Sequence, residues 1–178
     1  MSQGWKLLNR KSVYTSKFVT VYEDEVELPN GKILPDYTVI EKPDIVMIVA
    51  TDNKNNIIIL KEYKYAVNEY LFTLPAGHKK KDETAIETAK RELLEETGYA
   101  GEKYEDLGIL YDYPSKDCHK VYIVSALNIN KEADITHEET ENLSFQKISL
   151  DTLKKQFQNK EWRSSSAIAA LTLAGILN

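Results

Sequence analysis

Short runs of β-branched and aromatic residues, separated by polar turns, predict several β-strands in the first part of the chain. Residues 18–22 and 25–28 are the first two runs, and residues 33–41 are the third. The Pro-Asn-Gly-Lys sequence at residues 29–32 is a strong signal for a hairpin turn. These strands predict an N-terminal antiparallel β arm, residues 1–42, with too little core to be stable alone. We therefore expect the arm to pack on the rest of the chain or on a second subunit.

The runs that follow are more apolar, and helices come late and singly. Residues 45–50 are all apolar, which predicts a strand buried on both faces. Many strands with few helices favour a mixed sheet covered by helices over a doubly wound parallel sheet. The predicted fold class is therefore α/β, with residues 43–178 as one domain. Further strands are predicted at residues 57–63, 70–74, 107–113, 121–127 and 143–148, and late helices at residues 150–157 and 166–177.

One long helix is predicted between Thr84 and Thr97, where most residues are strong helix formers. Thr84 and Glu87 have the spacing of a capping box, which satisfies free backbone groups at the start of a helix. Gly98 follows at the position where a glycine commonly ends a helix. We therefore expect a helix with well-defined ends.

Three carboxylates share one face of this helix, because Glu92, Glu95 and Glu96 are three and four residues apart. The neighbouring face carries Ala89 and Leu93 and is expected to be buried. Like charges at this spacing destabilise an isolated helix. A divalent cation removes the repulsion, and Mg²⁺ prefers carboxylate oxygens while keeping positions open for phosphate. The alternative interpretation is a solvated helix surface, rich in glutamate and lysine, that binds nothing.

Charge and cysteine content narrow the function. The net charge of −5 argues against a protein that holds nucleic acid on a basic face. The single cysteine, Cys118, cannot form an intramolecular disulfide and suits the cytoplasm, and we expect it to be buried in a strand. The longest apolar run, residues 167–177, is well short of the roughly 20 residues that span a bilayer. We therefore expect neither a nucleic-acid partner nor a membrane partner.

The fixed residues around the helix have a specific spacing, Gly-x5-Glu-x7-Arg-Glu-Leu-x-Glu-Glu-x-Gly. This spacing resembles the signature of the Nudix hydrolases at every fixed position, and only Tyr99, where the family prefers an aliphatic residue, departs from the pattern. The resemblance implies a Nudix-type α/β/α sandwich with a mixed sheet, preceded here by the β arm. The matching positions are Gly77, Glu83, Arg91, Glu92, Leu93, Glu95, Glu96 and Gly98.

Nudix enzymes hydrolyse a nucleoside diphosphate linked to another group. The resemblance implies that Mg²⁺, or Mn²⁺ in its place, binds to Glu92, Glu95 and Glu96 and to the backbone carbonyl of Ala76. Glu95 is in addition a candidate catalytic residue. Four further positions are predicted to be structural, with a charge-assisted contact that braces the loop against the helix. These are Gly77, Glu83, Arg91 and Gly98.

Features outside the motif resemble one group of Nudix enzymes, the ADP-ribose pyrophosphatases. Pro114 lies 16 residues after Gly98, which is the spacing associated with that group. In these enzymes the general base can lie on a late acidic loop, and we predict Glu139 as the base and Glu141 as a metal ligand or its support. A solvated acidic loop is the alternative for this segment, and His137 is expected to be a surface residue.

The predicted substrate contacts differ from the group in three places. Lys42 and Lys64 stand where the family holds its substrate with arginines, and a lysine lacks the two-pronged guanidinium. Thr73 replaces a family glutamate. Phe18 is the candidate to stack on adenine across a dimer, and Pro114 is a further candidate substrate-binding residue.

These observations predict an enzyme that splits ADP-ribose into AMP and ribose 5-phosphate. The alternatives are a Nudix hydrolase of another nucleoside diphosphate sugar or of a dinucleotide, and a sensing module that binds a nucleotide without cleaving it. The retained glutamates at the metal positions speak against the sensor. The arm at residues 1–42 predicts a homodimer, in which each arm reaches the nucleotide pocket of the other subunit.

Overall fold

The computed structural model describes residues 4–133 and 143–177. The predicted base Glu139, the predicted ligand Glu141 and His137 lie outside these described residues. Contacts divide the chain into two compact units. The first unit comprises residues 1–44 and 111–120, and the second comprises residues 45–110 and 121–178.

The first unit is built on an antiparallel sheet of three strands in the order β1-β2-β3. Its strands are β1 (Lys6–Thr15), β2 (Thr20–Glu27) and β3 (Ile33–Glu41). The two predicted strands at 18–22 and 25–28 are therefore wrong, since they form one strand. β1 was not predicted because its many polar residues hide the strand pattern, and every residue of β1 is exposed.

The second unit contains a mixed sheet of seven strands. Its central strand order is β12-β5-β4-β10-β9. In addition, β6 pairs with β5 and β7 pairs with β4. β10 runs parallel to β4, and the other pairs of this sheet are antiparallel. These strands are β4 (Ile45–Thr51), β5 (Asn56–Lys64), β6 (Glu69–Thr73), β7 (Ala76–His78), β9 (Lys103–Leu110), β10 (Val121–Leu127) and β12 (Leu143–Ser149). A separate two-stranded sheet joins β8 (Tyr99–Ala100) to β11 (Asn130–Lys131).

Three α-helices cover the sheet, α1 (Ala85–Thr97), α2 (Leu150–Gln158) and α3 (Ser165–Leu173). Alternate residues of β4 point to opposite sides, so Ile48 packs in the cluster with α1, and Val49 packs in the cluster with α2 and α3. The predicted α/β/α sandwich with a mixed sheet and an N-terminal antiparallel β sheet is confirmed. No helix in the described part of the chain is long and apolar enough to cross a membrane.

Differences from the predicted elements are concentrated at strand ends. The strand predicted at residues 107–113 is shifted, because β9 starts at Lys103 and ends at Leu110. Residues 111–120 leave the sheet and belong to the first unit. The last helix ends at Leu173 and not at residue 177. The short strands β7, β8 and β11 were not predicted, since two or three residues carry no periodic pattern.

Candidate active site on the loop and helix of the second unit

Both ends of α1 are capped as the sequence predicts. The Thr84 hydroxyl accepts a hydrogen bond from the Glu87 backbone N–H (3.2 Å), and the Glu87 carboxylate accepts one from the Thr84 backbone N–H (2.7 Å). At the other end Gly98 has a positive φ of 73°, which favours glycine, and its N–H donates to the Leu94 carbonyl. These caps fix where the helix begins and ends, and hence where its carboxylates lie.

Glu83 and Arg91 form a two-pronged ion pair. The Arg91 Nε and Nη2 atoms each lie 3.0 Å from an oxygen of the Glu83 carboxylate. The Thr88 hydroxyl donates a further hydrogen bond of 2.8 Å to the same carboxylate. Hydrogen bonding from Arg91 lowers the pKa of Glu83 from its ordinary 4.5 to about 2, against an opposing effect of burial. The loop before α1 is therefore tied to the second turn of the helix.

The same guanidinium contacts two of the predicted metal ligands. Arg91 Nη1 lies 2.6 Å from Glu92 Oε1 and 3.2 Å from Glu95 Oε2. Arg91 Nη2 also donates to the His78 carbonyl at 3.3 Å. One cation thus lies among three carboxylates, and the repulsion expected for this helix face is partly offset within the protein itself.

The three predicted ligands differ in their surroundings. Glu96 is only 8% exposed, the Glu92 side chain is 14% exposed, and the Glu95 side chain is 51% exposed. The Glu96 carboxylate accepts a hydrogen bond of 3.2 Å from the Ala76 backbone N–H. Two carboxylates therefore belong to the inner part of the site, and Glu95 lies at its surface.

Gly77 leaves room for the Glu92 carboxylate, which a side chain at residue 77 would displace. A Cβ atom at residue 77 would lie 1.9 Å from the Glu92 carboxyl carbon, closer than atoms can approach. The strand that carries Gly77 is held by β4, since Gly77 pairs with Val46 and the neighbouring Pro75 carbonyl accepts from the Ile48 N–H. The carboxylate of Glu92 therefore packs directly on a fixed backbone.

This arrangement fits a hard divalent cation. Glu96 accepts from the Ala76 N–H and Glu92 lies against Gly77, so two carboxylates, the ligand type that hard divalent cations prefer, approach the same short stretch of backbone. Within residues 4–133 and 143–177, no three acidic, histidine or cysteine side chains converge as a ready metal cage. A Mg²⁺ ion held by two carboxylates would complete its coordination with water and phosphate oxygens.

The remaining predicted residues are carried by other elements of the two units. Lys64, in the second unit, pairs with Glu62 on the same strand (2.6 Å). Lys42, in the first unit, contacts Asp117. Phe18 is 49% exposed with the Lys17 ammonium 4.8 Å from its ring centre, and Pro114 is exposed in the 111–120 segment of the first unit. The roles of these residues stay predictions.

The 111–120 segment holds polar residues that the sequence reasoning missed. Asp117 and His119 are both buried, at 8% and 6% exposure. The residue between them, Cys118, is exposed, so its predicted burial in a strand is wrong. In an extended segment, alternate residues share a side, and the Asp-Cys-His order was the signal that could have paired the two polar residues.

Two sequence models of known domain families match the chain. Residues 41–170 match the sequence model of the NUDIX domain. Residues 5–40 match the model of the nucleoside diphosphate sugar hydrolase N-terminal domain. Together the two matches cover residues 5–170, which include every described strand.

Individual relatives are similar over most of their length. The chain is 27% identical to the ADP-ribose pyrophosphatase of Bacillus subtilis (strain 168), over 88% of this chain and 84% of the relative. It is 26% identical to the methanol dehydrogenase activator of Bacillus methanolicus, over 93% of this chain and 90% of that relative. The crystal structure of an ADP compounds hydrolase matches with a TM-score of 0.86 at 26% identity, covering 98% of this chain and 94% of that chain.

The motif, the fold and the comparisons point to the same identity. The NUDIX domain match covers well over half of the chain, and the motif residues lie on the loop and helix that carry the paired carboxylates. The matched relatives are aligned over nearly their whole length. The chain belongs to the Nudix family and is a Nudix diphosphate hydrolase.

Proposed function

We propose that this enzyme hydrolyses the diphosphate of ADP-ribose to AMP and ribose 5-phosphate with Mg²⁺ as its cofactor. The observation that carries the reaction is the placement of Glu92 and Glu96 against the backbone at Ala76 and Gly77. The substrate rests on the similarity to ADP-ribose pyrophosphatase of Bacillus subtilis, which extends over 88% of this chain. Mn²⁺ is the alternative metal, since it accepts the same oxygen ligands.

The metal would be held by Glu92, Glu96 and the Ala76 carbonyl, with Glu95 and Glu141 as further ligands. When bound, it supplies charge neutralisation at the diphosphate and a lower pKa for a bound water. Arg91 positions the Glu92 and Glu95 carboxylates through its contacts of 2.6 and 3.2 Å.

The reaction breaks one bond of the bridging diphosphate. Water adds to one phosphorus atom, the bridging oxygen leaves with the other phosphate, and the proton of the attacking water goes to a carboxylate base. Glu139 remains our candidate for that base, and Glu95 is the second candidate because its exposed side chain lies on the same helix as the ligands. Lys42 and Lys64 are proposed to bind the phosphates as point charges.

A second candidate function is hydrolysis of another nucleoside diphosphate sugar or of a dinucleotide. Three observations favour this second function. Lysines stand at both predicted substrate positions, and residues 5–40 match a domain named for nucleoside diphosphate sugar hydrolases. Thr73, at the position of a family glutamate, is also buried at 7% exposure and presents no charge.

We further propose a homodimer formed through the arm at residues 1–42, with the Nudix domain beginning at residue 43. β1 lies at the edge of its sheet and is exposed along its whole length, including the apolar residues Leu7, Val13 and Tyr14. Exposed edge strands need a cover, and a second copy is the commonest one. Phe18 would then reach the nucleotide pocket of the other subunit, and the enzyme would act in the cytoplasm.

A hydrolysis screen tests the function. Purified enzyme is incubated with ADP-ribose, other nucleoside diphosphate sugars and dinucleotides, with Mg²⁺, with Mn²⁺ and with a chelator, and the products are identified by chromatography. We expect the highest kcat/KM with ADP-ribose, AMP and ribose 5-phosphate as products, and no turnover with chelator. A better substrate of another class would replace ADP-ribose in this proposal, and metal-independent turnover would overturn the proposed cofactor. Sedimentation of the full chain as a 20.4 kDa monomer at micromolar concentration would exclude the dimer.

A further inference from the structure

Asp117 is a buried carboxylate with three hydrogen-bond donors. The Lys42 ammonium contacts its Oδ2 atom. Its Oδ1 atom accepts from the His119 backbone N–H at 3.1 Å and lies 2.7 Å from the His119 Nδ1 atom. Burial alone would raise the pKa of Asp117, but hydrogen bonds from Lys42 and His119 outweigh burial and lower it. The carboxylate is therefore a charged anchor for the lysine.

The backbone fixes this anchor beside Lys42. Ile40, two residues before Lys42, forms a parallel bridge with Asp117. The Ile40 N–H donates to the Lys116 carbonyl at 2.7 Å, and the Cys118 N–H donates to the Ile40 carbonyl at 3.2 Å. The carboxylate thus comes from a segment that is hydrogen-bonded to the end of β3.

The buried imidazole of His119 lies between two carboxylates. Its Nδ1 atom faces Asp117, and its Nε2 atom lies 3.8 Å from the Asp112 carboxylate. The following residue is tied as well, because the Lys120 N–H donates to the Asp44 carboxylate at 2.8 Å. The backbone N–H and the Nδ1 atom of buried His119 both contact the Asp117 Oδ1 atom, so His119 fixes the orientation of the Asp117 carboxylate.

We propose that Asp117 and His119 are positioning residues that hold the Lys42 ammonium in place for a phosphate of the substrate. The inference rests on the proposed role of Lys42 in substrate binding. A lysine carries a compact charge on a flexible stem, so it loses more freedom on binding than the arginine of the family pattern. Holding it in advance lowers that loss. Lys42 has three donors and a 36% exposed side chain, so contact with Asp117 leaves donors for phosphate.

The first test is Asp117→Asn with steady-state kinetics. We expect KM to rise about 10-fold and kcat to stay within about twofold, the signature of lost binding that is uniform in ground and transition states. Asp24→Asn is the matched control, because Asp24 is a buried carboxylate (3% exposed) of the same unit and pairs with Arg10 at 2.7 Å. It should lose comparable stability without a rise in KM.

The second test separates positioning from folding through His119. His119→Ala removes the side-chain donor to Asp117, whereas His119→Asn retains an amide donor near the position of Nδ1. We expect His119→Ala to raise KM as Asp117→Asn does and His119→Asn to restore it to within about threefold of the original chain. An equal rise in KM in His119→Ala and His119→Asn, or an unchanged KM in Asp117→Asn, would overturn the inference.

Binding measured without turnover distinguishes this inference from the proposed function. Calorimetric titration of ADP is carried out in the Glu96→Gln background with and without Asp117→Asn. About 10-fold weaker ADP binding supports the positioning role even if ADP-ribose is a poor substrate, in which case only the proposed function fails. Equal ADP affinity in the two chains, or no ADP binding in either, overturns the positioning role, whatever the original chain hydrolyses.

Discussion

Two small networks of charge, one in each unit, combine a cation with carboxylates in opposite ways. Around α1 a single cation, Arg91, contacts the carboxylates of Glu83, Glu92 and Glu95. In the 111–120 segment a single carboxylate, Asp117, holds the cation of Lys42. The first network places anions, as a site for a metal requires, and the second places a cation, as a site for phosphate requires. In the proposed function, the group that each network holds in place is the group that contacts the ligand, the carboxylates for the metal and the ammonium for the phosphate.

Removing one anion of the first network should have the largest effect. Glu96→Gln keeps the shape of the side chain and an oxygen for the Ala76 N–H, but it removes the charge from the inner carboxylate. We expect kcat to fall at least about 100-fold, the scale of losing one preorganised electrostatic element. Stopped assays of product formation with Mg²⁺ measure the loss, and near-normal turnover would show that Glu96 is not a metal ligand.

A control variant tests whether the effect of Glu96→Gln comes from the position of the lost charge or only from the change in net charge. Glu105→Gln on β9 also removes one negative charge, from an exposed side chain paired with Lys103. Exposed pairs contribute little to stability, so this variant should match the original chain in both stability and activity.

Replacing the central cation of the first network should have the next largest effect. Arg91→Lys retains the charge but loses the planar fork that contacts Glu83 at two points and Glu92 at 2.6 Å. We expect kcat to fall roughly 10- to 100-fold with a smaller change in KM, because a small displacement of catalytic groups is costly. Equal activity in Arg91→Lys would mean that only the charge of Arg91 matters.

The sequence alone predicts a network well when its residues are close together along the chain and poorly when they are far apart. Thr84, Arg91 and Gly98 belong to one capped helix, so local spacing predicts both the helix and which carboxylates share its face. The pairing of Lys42 with Asp117 joins distant segments, and no periodic pattern reports such a contact. The sequence therefore predicts Lys42 as a site residue but not its partner Asp117. The prediction of a strand at Cys118 was wrong because residues 111–120 leave the sheet.

The sequence pattern also could not predict how deeply each glutamate of the helix face is buried. Glu92, Glu95 and Glu96 were predicted together, but their exposure ranges from 8% for Glu96 to 51% for the Glu95 side chain. The difference arises from β7, a strand of three residues that approaches Glu96 through Ala76 and Glu92 through Gly77. A strand this short has no sequence signature, so the sequence could predict the face but not its depth.

Removing the cation of the second network should change binding and not the chemical step. Lys42→Ala deletes the ammonium that Asp117 holds, and we expect KM to rise about 10-fold with kcat nearly unchanged. The two networks are distinguished by this result, since Arg91→Lys should mainly lower kcat and Lys42→Ala should mainly raise KM. A fall in kcat alone for Lys42→Ala would remove the contrast between the two networks.

The smallest effect concerns stability in acid, and it arises from the first network. The Glu83 pKa is lowered from 4.5 to about 2, chiefly by Arg91. The unfolded chain takes up a proton at Glu83 before the folded chain does, so the stabilisation is complete above about pH 4.5 and is lost as the pH falls towards about 2. We therefore expect the free energy of unfolding of Glu83→Gln to lie below that of the original chain at about pH 6 and to approach it near pH 2, measured by denaturant titration. Asp52, whose pKa is also lowered to about 2 by hydrogen bonds from Asn56 that outweigh burial, is present in both chains and cancels in the difference. A gap between the two chains that stays constant with pH would show that Glu83 stabilises α1 by packing and hydrogen bonding alone, so that the charge on Arg91 would serve only Glu92 and Glu95.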